Sequence, residues 1–298
     1  MSDKKVVPKY VPFVVGGSAG MMATCFVHPM DVVKNRMQVS GIGSKVKEYK
    51  TSFHAAGGIL RNEGVTALYS GLSAGLLRQA TYTTARLGVF NGLTERVSKD
   101  GAPPSFGVKV LIGLCAGAVG AFVGTPADLT LIRMTTDGRL PPAERRNYSN
   151  ALTALARIAK EEGILALWKG AVPTMGRAMV VNAVQLSTYQ QAKQQLLTSG
   201  YFEENIKLHF CASMISGLAT TIASMPLDIA KTRIQNMKVV EGKPQFTGTI
   251  DVLSKVVRHE GVFALWKGFT PYYARLGPHT VLTFIFMEQL NQLYKSLA

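Results

Sequence analysis

Three short strings in this chain each hold an acid, and two of them a base, one helical turn apart. They read Pro29-Met30-Asp31-Val32-Val33-Lys34-Asn35-Arg36, Pro126-Ala127-Asp128-Leu129-Thr130-Leu131-Ile132-Arg133 and Pro226-Leu227-Asp228-Ile229-Ala230-Lys231-Thr232-Arg233, and their prolines are 97 and 100 residues apart. On one solvated helix an Asp and a Lys three apart make a weak local pair. Threefold repetition offers a different use. If three helix ends meet around an axis, each Asp can pair with the Lys of a neighbouring string, and the set becomes a ring that closes one end of a cavity. The expected rungs are Asp128–Lys231 and Asp228–Lys34. Leu131 stands where the third Lys would be, so Asp31 lacks its equivalent partner. Partly buried pairs lose hydration and add little net stability, which suits a gate that must reopen. Gln38 and Gln235, one turn beyond each Lys, can brace the pairs from below, and Thr135 only weakly.

Arginine supplies the second chemistry. Each Pro string is followed by another: Glu63-Gly64 to Tyr69-Ser70-Gly71, Glu162-Gly163 to Trp168-Lys169-Gly170, and Glu260-Gly261 to Trp266-Lys267-Gly268. Arg78, Arg177 and Arg275 each lie seven residues beyond the closing Gly, so threefold symmetry puts them at one depth on three helices. A guanidinium fork suits carboxylates. Tyr82 and Arg86 follow Arg78 on the same helical face; the matching positions hold Val181 and Gln185, then His279 and Thr283. Four arginines with few acids nearby should select a small multivalent anion. The candidate binding set is Arg78, Tyr82, Arg86, Arg177, Gln185, Arg275 and His279, the last as a neutral hydrogen-bonding group.

Uncharged apolar stretches lead into the prolines: Tyr10 to Met30, Val110 to Ala127 and Leu208 to Leu227. Each has roughly the 20 residues that cross a bilayer as a helix. Pro29, Pro126 and Pro226 are expected to kink these helices and free a backbone carbonyl. Gly16 and Gly20, Gly113 and Gly117, and Ser213 and Gly217 stand 13 and 9 positions before their prolines, the small-residue spacing that lets membrane helices approach. A second, less apolar stretch follows each Gly string: Leu72 to Val97, Ala171 to Leu197 and Phe269 to Leu293. Intramembrane arginines there would face a watery cavity. The expectation is an all-α membrane protein of six spans in three repeats, 1–101, 102–201 and 202–298, forming one transmembrane domain. Short amphipathic helices lie between the paired spans, with Ala151, Leu152, Leu155 and Ile158, or Ile250, Leu253, Val256 and Val257, on one face.

Composition agrees. Of 298 residues 47% are hydrophobic and 17% charged, too apolar for disorder and below the charge of about 25% usual in soluble domains. Lys and Arg exceed Asp and Glu by 33 to 18, a net charge of +15. The basic residues recur in the spans rather than in one patch, so no nucleic acid is expected. No phosphate loop, metal-ligand pattern or hydrolase motif appears, so neither enzyme activity, cofactor nor metal is expected. Cys25, Cys115 and Cys211 read as small buried hydrophobes, and Met1–Lys9 is too short and polar for a secretory signal.

The paired strings resemble the mitochondrial carrier family, whose motif of Pro-x-Asp/Glu-x-x-Lys/Arg-x-Lys/Arg and Glu-Gly to Tyr/Trp-Lys/Arg-Gly matches three times over nearly the whole chain. The resemblance implies six helices around a threefold axis, alternating access and residence in the inner mitochondrial membrane. It implies a matrix-side gate at Asp31, Lys34, Asp128, Asp228 and Lys231, with Gln38 and Gln235 as braces. The family's opposite gate is weak here: Phe90-Asn91, Tyr189-Gln190 and Phe286-Met287 lack the acid. Longer strings (Ser73 to Thr84, Asp137 to Pro141, Phe269 to Thr280) and Arg177-Ala178 are similar to those of family members that exchange the dicarboxylates 2-oxoglutarate and malate. Gly71, Gly170 and Gly268, opening helices, are candidate sites for anionic lipid, with cardiolipin the expected one, and a monomer is expected to suffice. The alternatives are another dicarboxylate, an anion-linked proton leak, or a non-transporting scaffold that binds anionic lipid.

Overall fold

A computed structural model describes residues 11–40, 51–98, 104–200, 203–237, 239–240 and 243–297. Tyr10 and the ends of the expected repeats at 101, 102, 201, 202 and 298 lie outside them. The helices in chain order are α1 (Val11–Val39), α2 (Ser52–Glu63), α3 (Leu72–Val97), α4 (Phe106–Thr136), α5 (Ala151–Glu162), α6 (Ala171–Thr198), α7 (Ile206–Asn236), α8 (Thr249–Glu260) and α9 (Phe269–Leu297). Each repeat is long, short, long. One departure from an all-helical chain is a two-residue antiparallel ribbon, β1 (Val239–Val240) on β2 (Lys243–Pro244).

The six long helices close on themselves. Within repeats α1 packs on α3, α4 on α6 and α7 on α9; between repeats α3 packs on α4, α6 on α7 and α9 on α1. The second residue of each small pair sits at a close approach. A Cβ on Gly20 would lie 2.7 Å from the Gln79 amide of α3, on Gly117 2.4 Å from Asn182 of α6, and on Gly217 3.1 Å from Leu276 of α9. Gly16 meets nothing within 4 Å.

Two of the described helices, spanning Phe106–Arg139 and Lys207–Asn236, are long and apolar enough by themselves to cross a membrane. The other long helices carry more polar residues, many of them turned into the bundle. All three prolines lie inside their helices, which run on past the Pro strings. Charge is buried at that end, where Asp31, Lys34, Arg36, Asp128, Arg133, Asp228, Lys231 and Arg233 all lie inside.

The Gly strings turn the chain. Gly64, Gly163 and Gly261 end the short helices at φ 83°, 89° and 87°, and Gly71, Gly170 and Gly268 open the next long helices at φ 77°, 80° and 85°. A Cβ at the second set would meet Met134 at 3.0 Å, Gln235 at 2.8 Å and Lys34 at 3.3 Å. Each contact is with the next repeat, so glycine is required both for backbone sign and for room.

The short helices bury a narrower face than their pattern suggests. Ala151, Ala154 and Ile158 are buried on α5, and Val252 and Val256 on α8. Leu152 and Ile250 are exposed, as is Phe53 in the same first-turn position of α2. The apolar stripe is wider than the strip that touches the bundle. Cys115 is also exposed on α4, and Cys25 and Cys211 are half-buried, so the expectation of buried cysteines fails. In a bundle whose centre is polar, small apolar residues face outward.

Candidate functional site

The ring of acids and bases forms with the sense read from the strings. Lys34 pairs with Asp228, and Lys231 with Asp128. No base stands at Leu131, which is packed in an apolar cluster with Ala74, Met134, Ala151 and Ala154. The structure then departs from the expectation of separate gate and binding sets. Arg78 Nε lies 2.7 Å from Asp128 Oδ1 and Arg177 Nε 2.7 Å from Asp228 Oδ1. Arg275 pairs with Asp31, the acid that lacked a Lys. The Asp–Lys ring and the arginines are one network: five cations against three carboxylates, an excess of two positive charges. The void inside the ring is about 30 Å³, lined by these side chains and Tyr272, enough for a water or two.

Gln38, expected as a brace, lies against the Lys34–Asp228 pair. Its amide N–H donates to Asp228 Oδ2 at 2.8 Å, and its amide oxygen accepts from the Thr232 hydroxyl at 2.7 Å. Gln235 does not: both its amide atoms are buried without a partner among the described residues. The position equivalent to Thr232 is Ile132, which has no hydroxyl to offer. Thr135 accepts from the Asn35 amide at 3.2 Å instead of touching an ion pair. Of the remaining candidates, Tyr82 lines a small void with Arg78, Asp128 and Arg177. Arg86 and Gln185 are exposed further along α3 and α6, and His279 is half-buried on α9; the structure does not bring these three into the ring.

A second ring lies beneath the first. The last residue of each Pro string, Arg36, Arg133 or Arg233, forks onto the Glu of its own repeat. Nη2 lies 2.8 Å from Glu63, 3.0 Å from Glu162 and 3.0 Å from Glu260, and Nη1 reaches the other oxygen of each. The Nε–H of each donates to the next repeat: to the carbonyl of Thr135 at 2.9 Å, of Gln235 at 3.2 Å and of Gln38 at 3.2 Å. Those carbonyls lie in the last turns of α4, α7 and α1, where no helical N–H remains to meet them. The signal was in the sequence, since each Arg precedes its Glu by 27, 29 or 27 residues. Burial disfavours the Glu162 carboxylate, but hydrogen bonds from Arg133 and Lys169 outweigh it and hold its pKa at about 2, against an ordinary 4.5.

The Gly strings also answer the prolines. Pro126 and Pro226 have no N–H, so the carbonyls of Phe122 and Ile222, four residues back, lose their helical donors. The indole N–H of Trp168 donates to Phe122 at 3.2 Å and that of Trp266 to Ile222 at 3.0 Å. In the first repeat Tyr69 occupies this place, and its ring stacks on His28 with centroids 6.4 Å apart.

The second repeat adds a strap over the ringed end. Asp137 accepts the backbone N–H groups of Arg146 and Asn147, both at 2.8 Å, folding 137–147 into a closed loop. Arg146 reaches Asn236 of the third repeat at 3.2 Å. Gly138 lies on the Arg36–Glu63 pair of the first, where a Cβ would be 1.9 Å from Glu63.

Three helix pairs that share one ionic floor have the form of a symmetric carrier. The family described as Mitochondrial carrier protein matches residues 6–101, 102–200 and 203–297. The chain belongs to that family. It is 66% identical over 291 residues to the human Mitochondrial 2-oxoglutarate/malate carrier protein, covering 97% of this chain and 93% of the relative. It is 63% identical over 294 residues to the Caenorhabditis elegans protein of the same name, covering 99% and 96%. To the Arabidopsis thaliana Mitochondrial dicarboxylate/tricarboxylate transporter DTC it is 45% identical over 305 residues, covering 100% and 99%. These relatives are carriers and transporters, not enzymes.

Proposed function

We propose that this chain exchanges 2-oxoglutarate for malate, or closely related dicarboxylates, across the inner mitochondrial membrane. The three repeats, 1–101, 102–201 and 202–298, act as one transmembrane domain of six spans, with the ringed end toward the matrix and the short helices along that surface. The observation that carries the reading is the excess of two positive charges in the ring. A dianion cancels that excess, whereas a monoanion leaves half of it. The two particular acids come from the names of the relatives.

The ring leaves space for a water or two, so a dicarboxylate enters by exchange rather than by filling a void. Its carboxylates take Arg177 and another floor arginine from their aspartates. With those contacts gone, fewer charged ties join neighbouring repeats, and the Asp–Lys rungs are left to hold the ring alone. A ligand shifts a conformational balance only by its differential affinity, and here the differential is the set of arginines it recruits. Arg86, Gln185 and His279, higher in the bundle, take part as the anion arrives or leaves. Pro29, Pro126 and Pro226 are the kinks about which the helix ends part. Gly71, Gly170 and Gly268, opening α3, α6 and α9, hold anionic lipid headgroups, with cardiolipin the natural ligand. One monomer suffices, and no cofactor, metal or nucleic acid enters.

The test is counter-exchange by the purified protein in liposomes. Labelled 2-oxoglutarate should enter vesicles loaded with malate and not empty ones. Competition by a panel of unlabelled acids and a proton-flux assay separate the alternatives. Preference for another acid revises the substrate, proton flux without exchange replaces the reading by a leak, and no flux at all leaves a scaffold.

A further inference from the structure

At the fourth position beyond the closing Gly the three repeats differ: Gly75, Thr174 and Tyr272. Tyr272 is 7% exposed and lines the void inside the ring. Its hydroxyl oxygen accepts from Arg177 Nη2 at 2.7 Å. The Lys34 ammonium lies 4.5 Å above its ring centroid, and the Arg177 guanidinium carbon 5.7 Å away. The phenol thus touches one cation of the gate and one of the arginines at once.

Hydrogen-bond arithmetic gives the hydroxyl a further use. A guanidinium has donors only, so the proton of Tyr272 cannot be given to Arg177. Among the described residues nothing else accepts it. A buried hydroxyl donor without an acceptor is costly to keep, and this one borders the void where an anion must come to reach Arg177. A carboxylate drawing Arg177 away from Asp228 would meet the Tyr272 O–H beside the guanidinium N–H groups.

We propose that Tyr272 is a substrate-binding residue: its hydroxyl donates to the carboxylate held by Arg177, while its ring keeps Lys34 seated on Asp228 until the anion has bound. The proposal rests on the dicarboxylate reading above. It makes the third repeat the one that senses the bound anion, because neither Gly75 nor Thr174 can reach as far.

The experiment is 2-oxoglutarate/malate counter-exchange in liposomes by the wild type and Tyr272→Phe, which removes only the hydroxyl. Loss of a hydrogen bond to a charged group should raise KM roughly tenfold and leave the maximal rate within about twofold. Stabilisation of the purified variant by 2-oxoglutarate against thermal unfolding should weaken in parallel. An unchanged KM in a wild type that exchanges dicarboxylates overturns the role of Tyr272 alone. A wild type that exchanges none overturns the substrate reading and this proposal with it. If Tyr272→Phe does not fold, Tyr272→Gln and Tyr272→Leu replace it: the pair is similar in size and differs in having a donor. A lower KM for Gln supports the proposal, and equal values overturn it.

Discussion

The upper and lower rings are built at the same end of the same three helices and follow different rules. The upper ring has two Asp–Lys rungs, a Leu in place of the third base, and arginines filling in. The lower ring is threefold complete: three arginines, three glutamates and three carbonyls. In the proposed exchange the contrast separates holding from opening. Charged forks in the lower ring tie each short helix to its own repeat, which lets each repeat move as a unit in that reading. Between repeats the lower ring uses only hydrogen bonds to neutral carbonyls, which are cheaper to break. The upper ring, made of charges shared between repeats, is where an anion can intervene.

Breaking the lower ring should have the largest effect. Glu260→Gln leaves Arg233, with 3% of its side chain exposed, short of its carboxylate. The expected loss is about 3 kcal/mol of stability, read as a lower melting temperature of the purified protein in detergent. Completing the upper ring comes next. Lys at 131 must leave the apolar cluster around Ala74 and compete with Arg275 for Asp31. Leu131→Lys should slow exchange about tenfold, equivalent to roughly 1.4 kcal/mol of added closed-state stability, and faster exchange would count against the gate. A smaller effect follows from Trp266→Phe, which keeps the ring but strips the donor from the Ile222 carbonyl. It should cost about 1 kcal/mol in the same melting assay.

Between pH 7 and 5 the effect of pH is the smallest. The Glu162 carboxyl, held at about 2 instead of 4.5, contributes stability that is fully present above its unfolded value and lost as pH falls toward 2. Glu260 is lowered for the same reason, Arg233 and Lys267 outweighing burial. Melting temperature should therefore show no step from this ring between pH 7 and 5, and a fall below that. A step at pH 6 would mean that other groups hold the lower ring together.

Much of this was legible because a threefold register repeats every signal. The Pro strings, both Gly positions and the start of each second long helix could be placed from spacing alone, and α3 runs over the residues expected of it. What the register could not supply was depth between different helices. The arginines were placed by counting from Gly71, Gly170 and Gly268, and the aspartates from Pro29, Pro126 and Pro226. Nothing in either count says that Arg78 meets Asp128, since that depends on how far α3 slides along α4. Arg36 and Glu63 also stand on different helices, and only the recurring Arg-to-Glu interval marks them as a pair. Tyr272 breaks the symmetry, so the register does not mark it, and Gln235 lacks the contacts of Gln38 because Ile132 stands where the third repeat has Thr232.

The central claim is that a dicarboxylate opens the ring by taking Arg177 from Asp228. Purified wild type and Arg177→Ala, reconstituted in malate-loaded liposomes, should differ in uptake of labelled 2-oxoglutarate by at least about a hundredfold, the loss expected for a two-pronged charged contact, while both remain folded and membrane-inserted. Uptake by Arg177→Ala at the wild-type rate and KM would contradict the account.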